Sequence, residues 1–121
     1  MIPKFRAWDK EENKMIDWED LSFLKTKTDK DLRVLDLIYS PPKLKDAEIM
    51  QWTGLKDTWG DEIYEGDIIR GLYDTGIIGY EWVRAEVKYD LLEGFQLAQF
   101  DLNSIEIIGN IYENPELLED N

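Results

Sequence analysis

Between Tyr80 and Tyr89 the chain alternates without a break, Val83, Ala85, Val87 and Tyr89 falling on one side and Trp82, Arg84, Glu86 and Lys88 on the other. Only an extended strand turns a two-residue period into one apolar and one polar face; on a helix the same residues would scatter around the axis. Weaker runs of the same kind surround it. Ala47 to Thr53 sets Ala47, Ile49 and Gln51 against Glu48, Met50 and Trp52, with Gly54 ending the run. Ser104 to Tyr112 presents Ile105, Ile107 and Ile111 inward with Gly109 between them, and Ile68-Ile69-Arg70 and Gly94 to Phe100 add two more strands. Turn chemistry separates these runs: Asp57 and Gly60 in Lys56-Asp-Thr-Trp-Gly60, Gly66 and Asp67 before Ile68, and a hairpin tip at Gly76-Ile-Ile-Gly79. Short strands joined by glycine-bearing turns predict a mainly β fold, a small antiparallel barrel or sandwich over residues 47–121.

The N-terminal part is also β-rich but less regular. Ile2 to Trp8 reads as a strand with Phe5 and Ala7 on one face and Lys4, Arg6 and Trp8 on the other, and Asp9 to Lys14 as a hairpin turn before Met15-Ile16. Leu21, Phe23 and Leu24 fit neither period. Asp31 to Tyr39 reads as a strand because Ser40-Pro41-Pro42 stops it, proline disfavouring helical geometry in the residue before it. Pro41-Pro42 and the charged Lys43-Leu-Lys-Asp46 form a connector, which places the boundary between a 1–46 subregion and the 47–121 region. Near the other end, Asn114 at a cap position, Pro115 at the first helical position and Glu116 after it signal a short C-terminal helix of one or two turns.

Cysteine and histidine are both absent from the 121 residues. That removes disulfides, thiolate nucleophiles, histidine bases and Cys/His zinc sites, and leaves carboxylate, lysine, tyrosine, hydroxyl and hard-metal chemistry. Charge is uneven. Residues 1–56 hold 11 Lys/Arg against 11 Asp/Glu, whereas residues 57–121 hold 3 against 16, so the second part carries the whole net charge of −13. Carboxylates repel a phosphate backbone, so no nucleic-acid partner is expected there. No run approaches the roughly 20 apolar residues of a membrane span and the first residues lack the apolar core of a signal peptide, so the expectation is a cytoplasmic protein with no membrane association.

The strongest candidate for chemistry is the acidic loop carrying Asp57, Asp61, Glu62, Glu65 and Asp67. Clustered carboxylates on loops can hold a hard cation, but this loop fails the calcium pattern: Trp59 stands third from Asp57, Glu62 sixth where glycine is needed, and Ile68 twelfth. Turn formation by Asp57 with Gly60 and by Gly66 with Asp67 accounts for the same residues. No metal, cofactor or catalytic residue is therefore assigned, and no phosphate-loop, dinucleotide or nucleophile-elbow signature occurs. Trp59 stands apart, since a large ring at the tip of a polar turn is seldom placed there by core packing. The binding candidates are accordingly Asp57, Trp59, Asp61, Glu62, Glu65 and Asp67.

Three blocks carry a family resemblance: Lys4-Phe-Arg-Ala-Trp-Asp9, the run from Gln51 through Trp59 and Glu65 to Ile69, and Ile105-Glu-Ile-Ile-Gly-Asn-Ile-Tyr-Glu-Asn-Pro-Glu-Leu-Leu118. In that order they resemble the YopX family, small proteins of phages and prophages in Gram-positive bacteria. Trp52 and Trp59 depart from the smaller or polar residues that the family often has there. The resemblance implies a mainly β protein with distinct N- and C-terminal regions and self-association, and carries over no catalytic residues. Glu65-Gly-Asp-Ile68 is also similar to the entry into the first long strand of SH3-like barrels, an analogy of fold alone. The expected function is a non-enzymatic phage accessory protein, a homo-oligomer that binds a basic host or phage protein through its acidic part. A carboxylate-metal enzyme and a phosphate-mimicking inhibitor of a DNA-binding protein are the alternatives.

Overall fold

The structure is a computed structural model and describes residues 2–25, 33–90 and 94–119. The chain forms two compact units, Ile2–Gln51 and Trp52–Asn121. They meet in sequence inside one long strand. The connector expected at Lys43–Asp46 instead supplies a strand, because Lys45 carries its charge into an ion pair that the local sequence does not announce.

In the first unit, β1 (Phe5–Asp9) and β2 (Lys14–Ile16) form a hairpin, and β1 pairs on its other side with residues 47–51 of the long strand. A 3-10 turn at Trp18–Asp20 leads into β3 (Leu21–Leu24), which pairs with β4 (Arg33–Asp36), and β4 with β5 (Lys43–Lys45), all antiparallel. Asp31 and Leu32, the start of the strand expected there, lie outside the described residues. Ala7, Ile16, Leu21 and Val34 are buried together, with Phe5, Phe23 and Ala47 packed against them. Phe5 anchors the cluster through its ring, 5.8 Å edge-on to Phe23 and 6.2 Å from Trp18. Each of the larger side chains, Ile16, Leu21 and Val34, contributes about 1.5–3 kcal/mol by leaving water.

The second unit begins in the same strand, β6 (Ala47–Lys56), whose far half pairs with β7 (Glu62–Tyr64). Gly54 does not end this strand, contrary to the sequence reading. It takes φ of 86° inside it, and the register shifts between Trp52 and Lys56, so the glycine bends the strand where a side chain would resist. β8 (Asp67–Asp74) lies between β9 (Tyr80–Glu86) and β12 (Glu106–Asn110) in a three-stranded antiparallel sheet that forms part of a half-barrel. The short pair β10 (Tyr89–Asp90) and β11 (Gly94–Phe95) lies between β9 and β12 in sequence. The region expected as a strand to Phe100 is mostly turn, holding only an isolated bridge from Phe100 to Tyr73. Alternation in β9 works as read from Trp82 to Ala85: Val83 and Ala85 pack on the core of Ile63, Ile69, Val87, Leu97, Phe100 and Ile105, while Trp82 and Arg84 face solvent; the strand stops at Glu86, however, and Tyr89, expected inward on the same strand, is exposed in β10. The Gly76–Gly79 tip also forms as read, joining β8 to β9 with both glycines at positive φ.

No α-helix occurs among the described residues. The C-terminal helix is a 3-10 turn, Pro115–Leu118, with Asn114 at its cap but no side-chain capping bond. Asn114 turns back instead, its Oδ1 accepting from the Asn110 amide at 3.3 Å above Gly109, where a Cβ would lie 2.6 Å from that oxygen. The glycine is required by this close approach.

Candidate functional site

The acidic turn is built by its own first carboxylate. Asp57 is buried, and its Oδ1 accepts from the amides of Trp59 and Asp61, each at 2.9 Å. Its Oδ2 accepts from the Ile107 amide of β12 at 3.1 Å, and the Thr58 amide donates to the Ile105 carbonyl at 2.8 Å. One side chain thus closes a five-residue turn and ties it to a strand fifty positions away. Bonds from amides to an ionised carboxylate are the stronger kind, about 1.5–3 kcal/mol each.

Asp67 repeats the arrangement. It is buried, its Oδ2 accepts from the Tyr64 amide at 2.7 Å, and the flanking backbone joins Gly66 to Val87 and Val87 back to Asp67. The other candidates are differently placed. Asp61 is exposed, Glu62 and Glu65 are half-buried, and Trp59 is 74% exposed at the tip of the turn. Tyr64 donates a long hydroxyl bond of 3.4 Å to Glu62. Among the described residues no group of three carboxylates is gathered for a metal ion. The arrangement therefore presents an aromatic ring and acidic side chains on a rigid turn, with Asp57 and Asp67 turned inward as scaffold.

A second constellation, in the first unit, was missed from sequence. Buried Asp9 accepts the Glu11 and Glu12 amides on Oδ1 and faces buried Lys45 with Oδ2 at 3.2 Å. Buried Asp36 accepts the Ile38 amide on Oδ1 and faces Lys14 with Oδ2 at 3.0 Å. Neither Oδ2 has an aligned hydrogen-bond donor, so the lysines act on them as charges. Glu12 lies 3.3 Å from Lys14 and 3.5 Å from Lys45 and accepts from the Tyr39 hydroxyl at 2.5 Å, while Lys43, Lys14 and Lys45 stand 4.1, 4.8 and 5.2 Å from the centre of the Tyr39 ring. The Tyr39 bond, with the Lys14 and Lys45 charges, holds the Glu12 carboxyl at about 2, down from 4.5, against the opposing effect of burial. Lys14 is raised above its ordinary value, chiefly by Asp36. Burial pulls Lys45 down, but Asp9 and Glu12 together raise it further. Three acids and three lysines around one phenol form a matched set that fixes the β1–β2 hairpin to β4 and β5. The only sequence signal for it was the charge parity of residues 1–56.

The family model described as YopX protein matches residues 4–119. The chain belongs to the YopX family. Its fold is similar to the crystal structure of protein EF1440 from Enterococcus faecalis, with a TM-score of 0.66 and 30% identity over 98% of this chain and 99% of that one. A search of the curated proteins finds no match. Two of the three YopX-like blocks have structural work in the second unit: Asp57 and Asp67 of the middle block fasten turns, and Gly109 of the last seats Asn114.

Proposed function

We propose that this YopX-family protein is a non-enzymatic phage or prophage accessory that acts in the host cytoplasm by binding a basic protein surface through its acidic second unit, with Trp59 as the anchor. The observation that carries the reading is Trp59, 74% exposed on a turn whose backbone Asp57 already fixes. The backbone that carries the ring has little freedom left to lose on binding, and covering the ring removes about 150–250 Å² from water, the scale of a binding hot spot. Residues 52–121 hold 4 Lys/Arg against 16 Asp/Glu, net −12, which steers a cationic partner toward the ring. The half-barrel is read as an open SH3-like barrel, with Gly66-Asp67 leading into its long strand β8. Self-association of the first unit belongs to the same proposal, since among the described residues β2, β3 and β5 end their sheets; light scattering giving a monomer mass at about 100 µM would remove it.

Affinity capture from host lysate with the wild-type chain and Trp59→Ala in parallel tests the main reading. The expected result is one partner retained by the wild type, weakened about tenfold or more by the variant and released by added salt. A partner held equally by both proteins and indifferent to salt overturns it.

A further inference from the structure

A groove of about 570 Å³ is lined on one side by β9. Tyr73, Val83, Ala85, Phe95, Ala98 and Phe100 give it apolar walls; Gln96 and Gln99 also line it, and among the described residues Glu86 is the one charged group that does. Its volume falls within the roughly 300–1,000 Å³ of ligand sites. The walls are fixed on both sides. The Asp74 amide donates to the Gln99 carbonyl and the Asp101 amide to the Leu72 carbonyl, the Tyr73 hydroxyl bonds Gln99, and the Tyr73 and Phe100 rings pack edge-on at 5.2 Å. On the other side, Phe95 is held by its pairing with Tyr89 and by ring contact at 5.1 Å.

Two features decide the occupant. First, β9 ends the sheet order β12-β8-β9, so among the described residues its outer edge has no ladder partner, and the groove is lined by its inward residues Val83 and Ala85. A free edge beside an apolar trough suits an extended chain, whose backbone pairs with the edge while alternate side chains enter the trough. A small molecule would leave that edge unused. Second, among the described residues the only lining charge is the carboxylate of Glu86. We propose that the groove beside β9 binds an extended peptide in which apolar residues alternate with lysine or arginine, the peptide adding a strand to the half-barrel and placing a basic side chain on Glu86. This rests on the reading of the protein as a partner-binding module, and names a second contact away from Trp59.

The probe is a fluorescein-labelled octapeptide of alternating valine and lysine, compared with the same peptide carrying glutamate for lysine and with a glycine-serine peptide. Fluorescence anisotropy on the full chain should show saturable binding of the first alone. Ala98→Trp, which fills the groove from an exposed position, should weaken it about tenfold or more, and Glu86→Lys should reverse the preference toward the glutamate peptide. Amide exchange should slow in Tyr80–Glu86 when the lysine peptide is added. Equal binding to wild type and both variants would mean diffuse attraction to an acidic surface, and overturns the groove. Binding without β9 protection overturns the added strand. No binding of any peptide ends this inference, while a Trp59-dependent partner in the capture experiment would leave the functional reading standing; peptide binding with no such partner would support the groove and remove the Trp59 reading.

Discussion

The two units bury the same kind of residue and satisfy it in opposite ways. In residues 2–51, Asp9 and Asp36 each give one oxygen to backbone amides and the other to a lysine. In residues 52–121, both oxygens of Asp57 go to backbone amides, and Asp67 accepts the Tyr64 amide. A carboxylate matched by lysine leaves its unit electrically balanced but dependent on a second side chain. One matched by amides depends only on the backbone it organises, and it leaves its charge uncancelled. The acidity of the second unit is thus partly a consequence of how its turns are built, and its surface is free to display Asp61 and the half-buried Glu62 and Glu65 around Trp59.

The largest effect that would break this comparison is expected at Asp9. Asp9→Ala removes the acceptor for two amides and leaves buried Lys45 with only the half-exposed Glu12 carboxylate at 3.5 Å, and should cost about 3–5 kcal/mol in a denaturant titration. Asp9→Asn with Lys45→Met should recover most of that loss, because the amide oxygen can still serve Glu11 and Glu12 while the buried charge is gone. If the double variant is no better than Asp9→Ala, the lysine is not what Asp9 needs.

Asp57→Asn sharpens the contrast. Both oxygens of Asp57 face N–H donors, so an asparagine NH₂ must point at one of them, and the expected cost is about 2 kcal/mol with no rescue from any lysine variant. A smaller loss belongs to Gly60→Val. Gly60 has φ of 88° and open space where a Cβ would sit, so strain alone acts there, about 1–2 kcal/mol by the same titration. A change within about 0.5 kcal/mol would show that the turn adapts around the branched side chain.

What could be read from the sequence follows the range of the interactions. The turn at Asp57–Gly60, the Gly66-Asp67 strand entry, the Gly76–Gly79 tip and the two faces of β9 from Trp82 to Ala85 rest on neighbours within a few residues and formed as expected. Lys43–Lys45 and the Tyr39 constellation did not show, because Lys45 meets Asp9 and Tyr39 meets Glu12 across tens of residues, and nothing local in Lys-Leu-Lys distinguishes a buried cation from a solvated one. The C-terminal cap failed for a related reason. Asn114 has the capping chemistry, but Gly109 leaves a space that draws its side chain backward. The acidic cluster was visible by composition, whereas the inward turn of Asp57 toward Ile107 depends on a partner fifty positions away.

The smallest expected effect is also the one that separates the units in a single sample: their response to acid and salt. Glu12 has a folded-state value of about 2 against an ordinary 4.5, so its contribution to stability is present above about pH 4.5 and is lost as the pH falls toward 2. Asp17 acts in the opposite sense. Burial, with Glu19 beside it, raises its carboxyl above the usual range, so its ionised form opposes folding at neutral pH and protonation relieves that opposition. Because the shift of Glu12 is the larger of the two, its loss should dominate, and the first unit should weaken between about pH 4.5 and 2. In the second unit, net −12, added salt screens repulsion between carboxylates on a surface where few cations intervene, so stability at neutral pH should rise modestly from low to about 0.5 M salt. Amide exchange followed residue by residue reads both effects at once, with Glu12→Gln as the control that flattens the acid limb of residues 2–51 alone. Equal responses of the two units to acid and to salt would mean that the lysine-matched and amide-matched carboxylates are energetically alike, and the contrast between the units would then be one of geometry only.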